Sequence, residues 1–267
     1  MHFGILFNQQ TMKNIIEQKV RNGYSLDLGK LIDESFATFK KTFLIAGLGM
    51  LIISVVMVIL YLGILGAFFG FSNFTETMTS LESLATDTTF IIINAAATML
   101  FSALFAPITA GFIHLNHLAS TNKEIQIGTI FDFYKAPYFN QIFLSYLVIG
   151  FTTAIITVGL SILGYEFMNT IFQIIIGLFT VFTIPLIIYG EQNYTEAITN
   201  SIQLFIKKPF IIAIALLIAG IGMFLGIFAL CIGIIFTVPY LYSMYYAIYA
   251  QSVGFQNTSA IDEIGVE

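Results

Sequence analysis

Residues 209–250 read PFIIAIALLIAGIGMFLGIFALCIGIIFTVPYLYSMYYAIYA and contain no Asp, Glu, Lys, Arg or His. A helix needs about 20 apolar residues to cross the hydrocarbon core of a bilayer. This stretch is about twice that length, so it has to turn once, and Gly226 and Gly233 bracket the predicted turn. The stretch predicts two membrane-spanning helices joined by a short, uncharged connection.

Further charge-free runs precede this stretch, and the composition of the whole chain agrees with them. Hydrophobic residues make up 58% of the chain and charged residues 9%, whereas about a quarter of the residues of a soluble domain are charged. We predict six spans, at 43–70, 90–112, 141–163, 169–189, 209–228 and 231–250. The chain therefore divides into an N-terminal cytoplasmic segment (1–24), an all-α membrane domain (25–250) and a short cytoplasmic tail (251–267).

The basic residues predict the orientation of these spans. They fall in three groups, before the first run, after the second and after the fourth: Lys13, Lys19, Arg21, Lys30, Lys40 and Lys41; Lys123 and Lys135; Lys207 and Lys208. Basic residues in short loops stay on the cytoplasmic side of a membrane. We therefore expect a multi-pass protein of the bacterial inner membrane with both termini in the cytoplasm.

An internal repeat predicts how the spans are grouped. The segments 35–43 (SFATFKKTF), 131–139 (FDFYKAPYF) and 201–210 (SIQLFIKKPF) each place lysine among aromatic residues before an odd-numbered span. Each even-numbered span carries one proline: Pro107, Pro185 or Pro239. Apolar residues recur at helical spacing in and around these segments. The pattern predicts three helical hairpins, each preceded by an amphipathic interfacial helix, unless the likeness arises by chance from the aromatic residues that accompany membrane-edge lysines.

Three functions fit this arrangement. The leading one is a non-enzymatic module that binds membrane lipid, a partner protein or a second copy of itself through Lys40, Lys41, Lys135, Lys207 and Lys208, each contributing on the order of 1 kcal/mol near an anionic surface. The second is a permease for a neutral or apolar solute. The third is an oxygenase acting on lipid or carotenoid. The net charge of −5 suggests no nucleic-acid partner, and no cofactor is predicted.

The permease has a possible polar path through the spans. Hydroxyl and amide side chains interrupt the apolar runs: Ser54, Asn94, Ser102, Thr109, Ser145, Thr152, Thr153, Gln173, Thr180 and Thr183. Hydrogen bonding between helices is the commoner use of such residues.

The oxygenase would need a metal site, and two histidines are its weak candidates. His114 and His117 are three residues apart, so they share one helix face just beyond the second span. Non-haem iron requires more ligands than this pair supplies. The other interpretation is two interfacial histidines that bond to water, headgroups or backbone.

The third hairpin carries a family resemblance, which is weaker over the other two hairpins. The residues that carry it are Glu196-Ala197-Ile198, Ser201, Lys207-Lys208, Gly233, Thr237-Val238-Pro239 and the run from Tyr246 to Tyr249. They resemble a group of bacterial six-helix integral membrane proteins related to the membrane domain of some glycerophosphodiester phosphodiesterases, members of which are often named beta-carotene monooxygenase. The resemblance implies an all-helical inner-membrane fold and supplies no catalytic residues.

Met12 is a second candidate for the start of translation. Residues 2–11 are uncharged and lack the pattern of the repeat, whereas Met12-Lys13-Asn14 opens the charged segment.

Overall fold

The structure, a computed structural model, describes residues 2–69, 87–228 and 233–255, and the secondary structure of these ranges is helical. The α-helices are α1 (His2–Asn22), α2 (Leu28–Phe69), α3 (Thr88–Ser120), α4 (Tyr138–Ile162), α5 (Glu166–Phe179), α6 (Thr183–Ile188), α7 (Tyr194–Lys207), α8 (Pro209–Phe224), α9 (Gly233–Thr237) and α10 (Pro239–Ser252). Two 3₁₀ helices cover Ile127–Tyr134 and Leu225–Phe228.

Five helical stretches are long and apolar enough to cross a bilayer: Leu28–Ile64, Thr88–Ser120, Tyr138–Ile162, Glu166–Ile188 and Pro209–Phe228. They overlap with the first five predicted spans, and the chain is therefore a helical multi-pass membrane protein. The described part of the sixth predicted span consists of the shorter helices α9 and α10, which meet at Pro239. Residues 70–86, between the first two predicted spans, lie outside the described residues, as do residues 229–232 and most of the predicted tail.

The distribution of buried side chains divides the molecule into two halves. One half holds the core, which includes Phe112, Phe182, Leu204 and Tyr249, each almost fully buried. In the other half, large apolar side chains point outward, as Phe167 and others do. Exposed apolar surface of this extent is typical of membrane contact. The half with exposed apolar side chains is therefore expected to lie in lipid.

The repeated segments adopt two different local structures, because only two of them contain proline. Residues 35–43 continue without a break from the start of α2 into its apolar part, so this unit has no separate interfacial helix. The second segment breaks at Ala136-Pro137 between the 3₁₀ helix and α4, and the third breaks at Lys208-Pro209 between α7 and α8. Proline lacks the N–H that a helix interior requires, so it ends one helix and begins the next.

Each lysine-bearing segment packs near the proline of an even-numbered span. Ser201 of α7 contacts the break between α5 and α6, and Tyr134 donates a hydrogen bond to the carbonyl oxygen of Leu104, near Pro107, at 2.9 Å. Ser35 of α2 lies 3.4 Å from the hydroxyl of Tyr240, the residue after Pro239. Each of the three segments therefore contacts an even-numbered span within a few residues of its proline.

The N-terminal helix α1 joins the same core. Ile16 is fully buried there, and Tyr24 donates to the carbonyl oxygen of Leu204 at 2.7 Å. Burial raises the pKa of Tyr24 above its usual value, so this hydroxyl stays protonated at neutral pH. An exposed ion pair of 2.9 Å between Lys13 and Glu196 links α1 to α7, and the hydrogen bond and charge of Glu196 raise the pKa of Lys13.

Candidate ligand-binding cavity

A cavity of about 710 Å³ lies between α3, α4 and α5, in the half of the molecule that lacks a packed core. Its lining runs along α3 from Phe90 to Ser102, along α4 from Ser161 to Tyr146, and along α5 and its end from Glu166 to Thr180. From Phe90 to Ser102 the lining extends over twelve residues of α3, which corresponds to about 18 Å of helix length at 1.5 Å per residue. The volume falls within the range of about 300–1,000 Å³ that is usual for small-ligand sites.

The wall of the cavity is rich in uncharged polar groups that can donate and accept hydrogen bonds. The polar residues are Asn94, Thr98, Thr153, Thr157, Asn169 and Gln173, together with Ser102, Ser161 and Thr180. Side-chain amides and hydroxyls of this kind recognise hydroxyl or amide groups of a ligand. Of the described residues that line the cavity, only Glu166 is an Asp, Glu, Lys, Arg or His residue, and it lies at the end where α5 begins.

Asn169 is the centre of a small hydrogen-bond network in this wall. Its Oδ1 accepts a hydrogen bond from the hydroxyl of Thr157 at 2.9 Å and one from the amide of Gln173 at 3.3 Å. The network links α4 to α5 within the wall of the cavity. The amide nitrogen of Asn169 is a further hydrogen-bond donor beside this network.

The opposite end of the cavity lies beside the break between α5 and α6. Pro185 has no N–H to continue the helix upstream, and residues 180–182 form turns instead. Ser201 of α7 bridges the break, because its hydroxyl donates to the carbonyl oxygen of Phe179 at 2.8 Å and accepts from the N–H of Phe182 at 3.1 Å. Thr180, which lines the cavity, lies between the two residues that Ser201 contacts, and its hydroxyl donates to the carbonyl oxygen of Ile176 at 2.8 Å.

The sequence predicted part of this site. Asn94, Ser102, Thr153, Gln173 and Thr180 line the cavity, whereas the other polar residues proposed for a path lie elsewhere. Sequence reasoning missed Thr98, Thr157, Ser161 and Asn169. Thr153 and Thr157, like Asn169 and Gln173, are four residues apart and share a helix face. This four-residue spacing was the feature of the sequence from which the polar helix faces could have been predicted.

The five candidate lysines divide into two groups. Lys41 donates to the carbonyl oxygen of Ala119 at 3.0 Å and to Oδ1 of Asn122 at 2.9 Å, and Lys207 donates to the carbonyl oxygen of Arg21 at 3.2 Å. These two lysines stabilise the ends of α3 and α1, because cations favour helix C-termini.

The ammonium groups of the other three lysines, Lys40, Lys135 and Lys208, make no hydrogen bond or ion pair with another described residue. Lys40 and Lys135 are exposed and Lys208 is half-buried. The ammonium of Lys40 lies 5.0 Å from the ring centroid of Phe36, in a cation–π contact.

His114 and His117 share one face of α3, as predicted, and lie in an aromatic cluster. Their ring centroids are 5.9 Å apart, and Nδ1 of His114 lies 3.3 Å from the hydroxyl of Tyr189. His117 also contacts Tyr246 and Phe255. Across residues 2–69, 87–228 and 233–255, no group of three His, Cys, Asp or Glu side chains is arranged to hold a metal ion. The geometry is that of aromatic packing.

Comparison with protein-family models, with curated proteins and with solved structures finds no match to this chain. The resemblance of the third hairpin to six-helix bacterial membrane proteins therefore stays a prediction.

Proposed function

We propose that the chain is a six-span protein of the bacterial inner membrane that acts as a permease for an uncharged solute, with the cavity between α3, α4 and α5 as its binding site. The six spans form three hairpins, and both termini lie in the cytoplasm. In this orientation Lys123, which follows α3, is cytoplasmic. The end of the cavity at Phe90 and Glu166 then faces the outside, and the end at Thr180 lies within the bilayer.

The observation that carries the proposal is the polar lining of a cavity inside an apolar helical domain. Polar side chains in a bilayer usually bond to a neighbouring helix, yet Asn94, Thr98 and Gln173 are exposed beside a cavity large enough for a small ligand. A buried ion needs a charged or coordinating partner. The wall instead offers hydroxyls and amides, which suit a neutral molecule that carries hydroxyl or amide groups.

The experiment measures the flux of an uncharged probe in vesicles that contain the purified chain. Glycerol is a suitable probe because it presents only hydroxyl groups to the wall. We expect vesicles with the wild-type chain to swell faster in an inward glycerol gradient than protein-free vesicles. Thr157→Val removes the hydrogen bond to Asn169, so it should return the rate towards that of protein-free vesicles.

Thr152→Val is the matched control for this experiment. Thr152 lies on the same helix, but it is exposed and its hydroxyl donates only to the carbonyl oxygen of Val148. The control variant should keep the wild-type swelling rate. Wild-type vesicles that swell no faster than protein-free ones in glycerol, erythritol and sorbitol would refute the permease, and equal rates for the two threonine variants would refute the site.

A second candidate function, the binding of anionic lipid, is supported by three lysines that lie beside exposed aromatic residues. Lys40, Lys135 and Lys208 have as neighbours Phe36, which is 50% exposed, Tyr134, which is 38% exposed, and Phe210, which is 82% exposed. A lysine beside an aromatic ring at the membrane edge suits an anionic headgroup. This function is compatible with the permease, because the lysines and the cavity occupy different surfaces.

The test measures how much phosphatidylglycerol raises the melting temperature of the detergent-solubilised protein, in the wild type and in two variants. Replacing Lys40, Lys135 and Lys208 by Gln should reduce the stabilisation more than replacing both His114 and His117 by Ala. A triple variant that phosphatidylglycerol stabilises as much as the wild type would exclude these lysines as the lipid site.

A further inference from the structure

The C-terminal ends of α3, α6 and α10 meet around one aromatic side chain, Phe255. α3 contributes His117, Tyr189 follows α6 directly, and α10 contributes Tyr246 and Tyr249. The rings of these four residues lie 4.3, 4.9, 5.5 and 5.5 Å from the ring of Phe255, centroid to centroid. We refer to the four residues as the ring pocket. None of them lines the cavity between α3, α4 and α5.

Phe255 reaches the ring pocket through a turn and not as part of a helix. α10 ends at Ser252, and Gly254 follows with a φ of +81°, a left-handed conformation that glycine adopts without steric cost. The N–H of Gly254 donates to the carbonyl oxygen of Tyr249 at 3.0 Å. Phe255 is therefore held by this turn and by its ring contacts, so it can leave the pocket while α10 stays helical.

Two polar atoms of the ring pocket gain nothing from their contact with Phe255. Nδ1 of His117 and the hydroxyl of Tyr249 are buried, and neither has a hydrogen-bond partner among the described residues. Tyr249 as a whole is fully buried. A phenyl group supplies no N–H, O–H or oxygen to bond with, and a buried polar group without a partner is unfavourable.

The other two hydroxyls of the ring pocket already have neighbours. The hydroxyl of Tyr189 lies 3.3 Å from Nδ1 of His114, and the hydroxyl of Tyr246 donates to that of Ser120 at 2.6 Å. These contacts fix two walls of the pocket. His117 and Tyr249 are the walls that still offer a polar atom to an occupant.

We infer that the ring pocket binds a small phenol, a planar six-membered ring that carries a hydroxyl group, in place of Phe255. The ring of the phenol takes over the contacts of the phenyl group. Its hydroxyl supplies the partner that Nδ1 of His117 or the hydroxyl of Tyr249 lacks. Because a phenol hydroxyl both donates and accepts, it fits either tautomer of His117. This site is separate from the cavity and does not rest on the proposed permease.

Two features of the pocket select a small phenol over other occupants. Phe255 shows that the space takes one six-membered ring, and a ring without a polar group would leave the two polar atoms as they are. His117 also lies beyond residue 112, where the predicted second span ends, and Phe255 is half-buried. The pocket is therefore open to a water-soluble molecule at the end of α3 where Lys41 bonds to Asn122.

Phe255→Ala tests whether the pocket accepts a free ring. The probes are 4-fluorophenol and fluorobenzene, which lacks the hydroxyl, and their binding to the detergent-solubilised protein is followed by fluorine NMR. Phe167→Ala is the matched control, because it removes a phenyl group of α5 that is 74% exposed. Each probe is compared between variants, so its partition into detergent cancels.

We expect Phe255→Ala to bind 4-fluorophenol at least about tenfold more tightly than Phe167→Ala, because the probe no longer competes with a tethered ring. The gain for fluorobenzene should be at least about fivefold smaller, because this probe leaves the buried polar atoms without a partner.

Two further variants, made in the Phe255→Ala background, test recognition of the hydroxyl. Tyr249→Phe and His117→Phe each keep a ring and remove the polar atom. The control is Tyr245→Phe, since the ring of Tyr245 contacts Tyr242 instead. At least one of the two variants should weaken 4-fluorophenol binding about fivefold or more relative to the control, with fluorobenzene binding unchanged.

Gly254→Ala provides a second route if Phe255→Ala does not give a monodisperse protein. The added Cβ would lie 3.7 Å from the carbonyl oxygen of Ala250, an ordinary contact, so the change acts through the left-handed backbone. Alanine disfavours that conformation, which should loosen Phe255 and tighten 4-fluorophenol binding about fivefold. Gly23→Ala is the control, because Gly23 has a φ of +78° and open space around it at the end of α1.

Three results would overturn the inference. Equal affinities of Phe255→Ala and Phe167→Ala for 4-fluorophenol would show that the ring pocket only packs against Phe255. Equal gains for 4-fluorophenol and fluorobenzene would show that any ring fits, and unchanged binding in both Tyr249→Phe and His117→Phe would show that the hydroxyl is not recognised. The swelling rate in glycerol tests the permease independently of all three.

Discussion

Ser201→Ala tests whether the bridge across the break between α5 and α6 stabilises the protein. Ser201 is fully buried, and its hydroxyl donates to the carbonyl oxygen of Phe179 and accepts from the N–H of Phe182. Each hydrogen bond contributes about 0.5–1.5 kcal/mol net, and a buried polar group left without a partner costs about 1–3 kcal/mol. Removing both bonds should therefore lower the free energy of unfolding by about 2 kcal/mol. For a protein of this size that corresponds to a fall in melting temperature of about 4–8 °C.

The measurement is the melting temperature in detergent, with Ser145→Ala as the matched control. Ser145 is also fully buried, but its hydroxyl donates only within its own helix, to the carbonyl oxygen of Ile142 at 2.7 Å. A helix carbonyl can keep its backbone donor without this bond, so the control should lose about 0.5 kcal/mol or less. Equal melting temperatures for the two variants would show that Ser201 does not hold the break together.

Three further predictions concern topology, packing and helix ends. Alkaline phosphatase fused after Ser80 should be active and fused after Lys123 or Glu267 inactive, and the reverse pattern would reject the proposed orientation. Gly111→Ala should destabilise the protein by at least about 2 kcal/mol, because an added Cβ collides with the backbone carbonyl group of Ile130. The control Gly63→Ala, which meets no atom within 4 Å, should be neutral or slightly stabilising in thermal unfolding. Lys41→Gln should cost about 1 kcal/mol in the same assay through its lost bonds to Ala119 and Asn122, and an equal loss in Lys40→Gln would contradict the assignment.

Local proline chemistry explains why one part of the repeat was predicted incompletely. The three segments share their lysine and aromatic residues, which favoured three equivalent interfacial helices. Residues 35–43 lack the proline that ends a helix at Pro137 and at Pro209. Helical bonding therefore continues through residues 35–43, and the first unit is one long helix. The absence of proline was visible in the sequence, and its consequence could have been predicted.

The sequence by itself determined the class of the protein and the positions of five apolar helices. A membrane-spanning run can be identified from the sequence without tertiary contacts, because the free energy of placing a charge in a bilayer is a property of each side chain. The sequence also showed which residues share a face of one helix, such as Thr153 and Thr157.

Only the tertiary structure decided that polar faces of α3, α4 and α5 meet around one cavity, and that Asn169 lies within hydrogen-bonding distance of Thr157. The order of residues fixes the face of a single helix, but the rotation of one helix against another depends on how all their side chains pack. Two such tertiary contacts are the approach of α4 to α3 at Gly150, where an added Cβ would lie 2.8 Å from Cγ of Met99, and the bridge from Ser201 to Phe179 and Phe182. These contacts join residues that are distant in the chain, which residue-by-residue periodicity does not reveal.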